Sequence, residues 1–154
     1  MLEINNTTGE KINIRKLKDI AENFACRYKK KGDVSLALVG PARIKSLNRD
    51  YRDLDKATDV LSFTEEKEII INISDTKKPA KYKEMFLELG WDIGQMNNAA
   101  KKRKLNEYLL YFLFVHGLLH LAGYDDRTEA GRLEMIRRGR DFLKTMGLEM
   151  APRK

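Results

Sequence analysis

Apolar residues recur along the chain with a period of two in some stretches and about 3.6 in others, and the alternation of these periods marks out the elements. Leu2-Glu-Ile-Asn5 alternates and predicts a short first strand before the turn-prone Asn-Thr-Thr-Gly. From Ile14 to Tyr28 the apolar positions Leu17, Ile20, Ala21, Phe24 and Ala25 form a helical stripe, with Lys and Arg on the other face. Lys29-Lys30-Lys31-Gly32 ends it as a solvated basic terminus that suits the helix dipole. Val34–Val39 reads as a strand broken by Gly40-Pro41. Ala42–Tyr51 then reads as a helix with Ile44, Leu47 and Tyr51 facing inward and Pro41 near its first turn. Val60–Phe63 and Glu68–Ile73 are strand-like, and a loop rich in Asp and Thr precedes the first of them.

Asp75–Tyr82 is a charged connection, and Phe86–Ile93 is expected to add a strand around Gly90-Trp91, with a helical turn as the alternative. Gln95–Lys104 predicts a helix that ends in the basic run Lys101, Lys102, Arg103 and Lys104. A second helix follows over Leu105–Ala122. From Leu109 the latter is apolar on nearly every side, which predicts a central, buried element. Glu129–Met146 closes the chain as an amphipathic helix with Leu133, Ile136, Phe142, Leu143 and Met146 inward and Arg137-Arg138-Gly139-Arg140 outward. Residues 149–154 read as a frayed tail. The expectation is one α+β domain spanning residues 1–154. It would hold a small mixed sheet of about four strands, about five helices and a buried central helix.

At 154 residues the chain is long enough to bury a core. With 42% hydrophobic and 34% charged residues it is too apolar for disorder. A net charge of +7 suggests an anionic partner such as nucleic acid. The single cysteine, Cys26, excludes an internal disulfide and suits a reducing compartment; its place in a helical pattern predicts a buried small hydrophobe. Met1–Asn6 has neither the basic start nor the apolar core of a signal peptide, and the run at Leu109–Ala122 falls short of a membrane span. A cytoplasmic protein with no membrane partner is therefore expected.

Candidate chemistry concentrates at the end of the central helix, which holds both histidines of the chain. His116 and His120 stand four residues apart and project from one helix face, so they can share one ion. Gly123 offers a left-handed exit, and the reversed chain can return Asp125 or Asp126 to the same ion. With Asp126 as the third ligand the pattern is His-x3-His-x2-Gly-x2-Asp. Three protein ligands leave a position open, as catalytic zinc requires. Position 117 separates two chemistries. Zinc proteases of the His-Glu-x-x-His type carry a general base there. Gly117 can serve no such role, which speaks against a peptidase-like hydrolase. Arg52, among alternating acids, reads either as a surface ion pair or as a guanidinium presented to a phosphate.

His116-Gly-Leu-Leu-His120-Leu-Ala-Gly123-Tyr124-Asp125 resembles the signature of the YbeY-type endoribonucleases. A second stretch, Leu47-Asn48-x-x-Tyr51-Arg52-x-x-Asp55-Lys56-x-Thr58-Asp59-Val60-Leu61-Ser62-Phe63, is similar to another motif of the same family, in the same order. The resemblance implies an α/β-type fold and a metal-dependent cleavage of single-stranded RNA in ribosomal RNA maturation and ribosome quality control. It also implies metal ligands at His116 and His120 and a functional arginine at Arg52. The family's third histidine is replaced here by Asp126, which makes the site more anionic and favours a harder ion. The family's Gly-Asp-Ile strand is matched loosely by Leu89–Ile93, after a lengthened segment. One divalent ion per chain, zinc first, is the expected cofactor. RNA, with the ribosome or its small subunit, is the expected partner, and Lys101, Lys102, Arg103 and Lys104 are candidate backbone contacts. A non-catalytic RNA- or ribosome-binding protein with an altered metal site is the rival reading.

Overall fold

The computed structural model describes residues 1–95 and 98–148. Four strands form one mixed sheet: β1 (Leu2–Asn6), β2 (Val34–Val39), β3 (Val60–Phe63) and β4 (Glu68–Asn72), in the order β1-β2-β4-β3. The first three positions in that order run parallel, and β3 returns antiparallel along β4, pairing Val60 with Ile71 and Ser62 with Ile69. Side chains alternate across the pleat. Ile69 and Ile71 therefore face one layer with Leu36 and Leu38, while Ile70 faces the other with Leu61. Both faces are covered, which explains why β4 reads as an unbroken apolar run.

Helix α1 (Ile14–Tyr28) starts where the Asn13 side chain accepts from Lys16 N, and it buries Leu17, Ile20 and Phe24. Cys26 lies two residues past Phe24, about 200° around the helix, and is exposed rather than buried. Helix α2 (Pro41–Arg52) seats Ile44 against the opposite face of the sheet. Its last turn overhangs the β3 edge, so Tyr51 is 68% exposed and does not face the core.

No strand forms over 86–93. Lys83–Glu88 is instead a short helix, α3, because Phe86 and Leu89, three apart, both turn into the core. Gly90 at φ 88° then releases the chain. The basic and histidine segments are not two helices but one, α4 (Ala99–Leu121), capped by the Asn98 side chain accepting from Lys101 N. From Leu105 to Leu119 it is buried almost continuously, flanked by α1, by the sheet and by α5 (Glu129–Thr145). Within α5, Met135 is buried where Leu133 is only half so. Gly139 faces inward, its Cα side against the Phe112 ring, not outward with its arginine neighbours. The tail expected at 149–154 lies outside the described residues. Among the described residues no helix is long and apolar enough to cross a membrane.

Candidate metal centre

The last turns of α4 divide their side chains between two tasks. Gly117 points at the sheet, where a Cβ would stand 2.7 Å from Ile69 Cγ2, so this position accommodates hydrogen alone. His116 and His120 point the other way, one turn apart, with ring centroids 4.8 Å apart and planes at 85°. The missing protease glutamate thus has a steric cause as well as a chemical one. A side chain at 117 would enter the core and never reach the imidazoles.

Gly123 ends the helix at φ 104°, its N–H on His120 O at 3.0 Å, and Tyr124 N reaches back to Leu119 O at 3.1 Å. This reversal brings the Asp126 carboxylate over the histidines. Its Oδ2 lies 3.2 Å from His116 Nε2 and 3.6 Å from His120 Nε2. Asp125, the other candidate, is turned away and receives Arg127 N and Nη2. That contact holds its carboxyl below the usual range.

Three donors on about 2.0–2.1 Å bonds at tetrahedral angles lie about 3.3–3.4 Å apart, so the separations to Asp126 suit a shared small cation. All three candidate ligand atoms lie within 4.8 Å of one another. The tautomer fits as well. His120 Nδ1 sits 3.1 Å from the Tyr124 carbonyl, which can only accept; the proton therefore belongs on Nδ1 and the Nε2 lone pair faces Asp126. Burial lowers the His120 pKa, reinforced by His116. The His116 hydrogen bond, aided by His120, brings Asp126 down to about 2. Both groups are thereby held in the forms that bind metal.

Across from this cluster stands Arg52, at the end of α2. Its Nη2 donates to Ser62 O at 2.7 Å and its guanidinium lies 5.4 Å over the Phe63 ring, so Asp53, Asp50 and Asp55 do not neutralise it through any ion pair to its side chain. Arg52, His116, His120 and Asp126 all line one cleft of about 740 Å³. Asp59 and Tyr82, which are not among the candidate site residues read from the sequence, line it too. Tyr82 OH donates to Asp59 Oδ2 at 2.8 Å, and burial together with Asp59 raises the Tyr82 pKa. Asp59 Oδ1 also accepts Val60 N at 2.7 Å, which fixes the entry to β3. Asn48, buried inside α2, donates Nδ2 to Lys56 O at 3.0 Å and ties the intervening loop to the helix that carries Arg52. Asp59 and Asn48 stand in the second motif; Tyr82 carries no signal in the sequence, because only the fold brings it to Asp59. Lys101, Lys102, Arg103 and Lys104 are exposed at the far end of α4, about 20 Å of helix from His116, and do not line the cleft.

A two-imidazole, one-carboxylate cluster facing an arginine across an open cleft is an arrangement that can hold a divalent ion beside an anionic substrate, as metal-dependent hydrolases do. The comparisons with known proteins make the class particular. The family model described as Endoribonuclease YbeY matches residues 3–147, and the chain belongs to that family. A relative named Endoribonuclease YbeY from Nautilia profundicola is 33% identical over 155 residues, covering 96% of this chain and 93% of the relative. Another of that name from Desulfitobacterium hafniense is 39% identical over 121 residues, covering 75% and 73%. The fold is similar to the solution structure of TM1509 from Thermotoga maritima, with a TM-score of 0.59 at 22% identity over 100% of this chain and 99% of that one.

Proposed function

We propose that this chain hydrolyses phosphodiesters of single-stranded RNA with one zinc ion held by His116, His120 and Asp126. In this reading it acts in the cytoplasm on ribosomal RNA, in company with the ribosome or its small subunit, as a single domain. The endoribonuclease class itself follows from family membership. The observation that carries the rest is that Arg52 and the His-His-Asp cluster open on the same cleft.

When bound there, a divalent ion supplies Lewis acidity, which a phosphodiester needs because its own charge repels nucleophiles. The protein groups divide the remaining work. Tyr124 O fixes the His120 tautomer. Arg52 spends one N–H on Ser62 O, which aims the guanidinium and leaves its other donors for the phosphate and the charge that grows on it. Gly117 offers no base, Asp125 is engaged by Arg127, and Asp59 is engaged by Tyr82 and Val60 N. Lys101, Lys102, Arg103 and Lys104 add salt-sensitive contacts to RNA backbone outside the cleft.

The test is cleavage of single-stranded and structured RNA by the wild type, Arg52→Ala and Asp126→His across a series of divalent metals. Metal-dependent cleavage of the single strand, greatly reduced in Arg52→Ala, supports the reading. Cleavage that survives Arg52→Ala unchanged removes the role given to that residue.

A further inference from the structure

Tyr51 breaks the pattern of its own helix. By spacing it belongs with Ile44 and Leu47, yet it is 68% exposed. Leu54, three residues on, is 48% exposed. Single exposed apolar residues are ordinary on a protein surface. Here, however, two of the five exposed large hydrophobics among the described residues lie within two residues of Arg52, which itself lines the cleft.

The ring is also held. Tyr51 meets Phe63 edge-on, with centroids 5.6 Å apart and planes at 69°. Phe63 in turn lies beneath the Arg52 guanidinium. The three groups form one continuous surface in which a flat, solvent-facing ring stands beside the cation assigned to the phosphate. Aromatic rings beside cationic groups are how proteins grip unpaired nucleotides, because every base offers a π-face and each carries a phosphate. A base inside a duplex has both faces covered by its neighbours and offers none.

We propose that Tyr51 is a base-stacking platform that takes the nucleobase next to the phosphate held by Arg52, and that it gives the site its selectivity for unpaired RNA. Phe63 sets the angle of the platform. The proposal rests on the ribonuclease reading above, which supplies the substrate.

Binding of short 2′-O-methyl oligonucleotides, followed by fluorescence anisotropy, tests it. The probes are a fully based strand and a set carrying one abasic residue at each position in turn. Tyr51→Ala is expected to weaken the fully based strand about tenfold, whereas Tyr51→Phe and Tyr51→Trp stay within about threefold of wild type. At one position the abasic residue should weaken wild type by a similar factor and add nothing to Tyr51→Ala. The emission added in Tyr51→Trp should be quenched on binding. Wild-type affinity in Tyr51→Ala, or an abasic penalty undiminished in that variant, overturns the platform. If wild type still cleaves RNA in a His120-dependent manner, such a result leaves the nuclease reading standing. A wild type that neither binds nor cleaves single-stranded RNA removes both.

Discussion

His120 is oriented by a residue just past the end of its own helix: Nδ1 lies 3.1 Å from the carbonyl oxygen of Tyr124. Because that oxygen exists in this place only through the Gly123 reversal, the same turn that delivers Asp126 also aims one of its partners. Site and turn are therefore one unit. An ion that binds the folded chain and not the unfolded one raises thermal stability by mass action. Adding zinc to chelator-treated wild type is expected to raise Tm, and His116→Ala and His120→Ala should abolish the rise. Metal analysis of protein purified without chelator should give about one ion per chain for wild type and none for either variant. An unchanged zinc-induced rise in His120→Ala would sink the ligand assignment.

Gly117 makes a second prediction, one of stability rather than chemistry. Alanine is the better helix former, by about 1 kcal/mol. The added methyl would nevertheless meet Ile69, a fully buried side chain on the inner strand β4, at 2.7 Å. The clash should dominate, and Gly117→Ala is expected to lose about 1–3 kcal/mol in denaturant unfolding. Combining it with Ile69→Ala should cost less than the sum of the two single changes, since each relieves what the other creates.

Much of this fold and site is legible in local sequence. The strands at Val34–Val39 and Val60–Phe63, helix α1 and the burial of α4 follow from local periodicity, and the structure agrees. The histidine spacing and the Gly123 exit are also local, so His116, His120 and Asp126 could be grouped from sequence, and the structure brings them together. Local pattern misleads where tertiary context decides. Leu89-Gly90-Trp91 carries a strand-like composition, but packing of Phe86 against Trp91 and Tyr108 selects a helix and a turn. The chain at Lys104-Leu105 changes from polar to apolar, which looks like a boundary; α4 simply passes from solvent into the core there. Nothing within α5 reveals that Gly139 meets Phe112, and nothing near Tyr82 reveals Asp59.

Asn48 carries the third prediction. It is 3% exposed and its amide donates to Lys56 O, so truncation removes that tie and frees the loop between α2 and β3. Asn48→Ala is expected to cost about 0.5–1.5 kcal/mol of stability. RNA cleavage should fall while zinc affinity stays unchanged, because the loop positions the Arg52 side of the cleft and not the histidines. A parallel loss of zinc affinity would contradict that division.

Arg52 tests whether the cleft needs a charge or a fork. The side chain is exposed, and its contacts are one bond to Ser62 O and the face of Phe63, so neither Arg52→Ala nor Arg52→Lys should disturb the fold. Lysine keeps the charge but offers a point donor that cannot hold Ser62 O and a phosphate in one plane. Cleavage is expected to fall on the order of 10²-fold in Arg52→Ala, with only partial recovery in Arg52→Lys. Full activity in Arg52→Lys would show that charge alone suffices.

As the proposed third ligand, Asp126 is expected to set which ion the site prefers. Its carboxylate adds a negative charge beside the two imidazoles and is brought down to about 2, chiefly by the His116 hydrogen bond, so it is ionised throughout the working range. A harder, anionic oxygen donor widens the choice of divalent ions towards manganese; a third imidazole narrows it towards zinc. Asp126→Asn removes the charge while keeping the shape and should weaken zinc binding at least about tenfold, as loss of a supporting carboxylate does elsewhere. Asp126→His should restore zinc binding and raise the ratio of zinc to manganese affinity, measured by calorimetric titration of both metals. If Asp126→Asn bound zinc as well as wild type, the carboxylate would be a hydrogen-bond partner of His116 and no ligand, and the site would hold its ion on two protein donors.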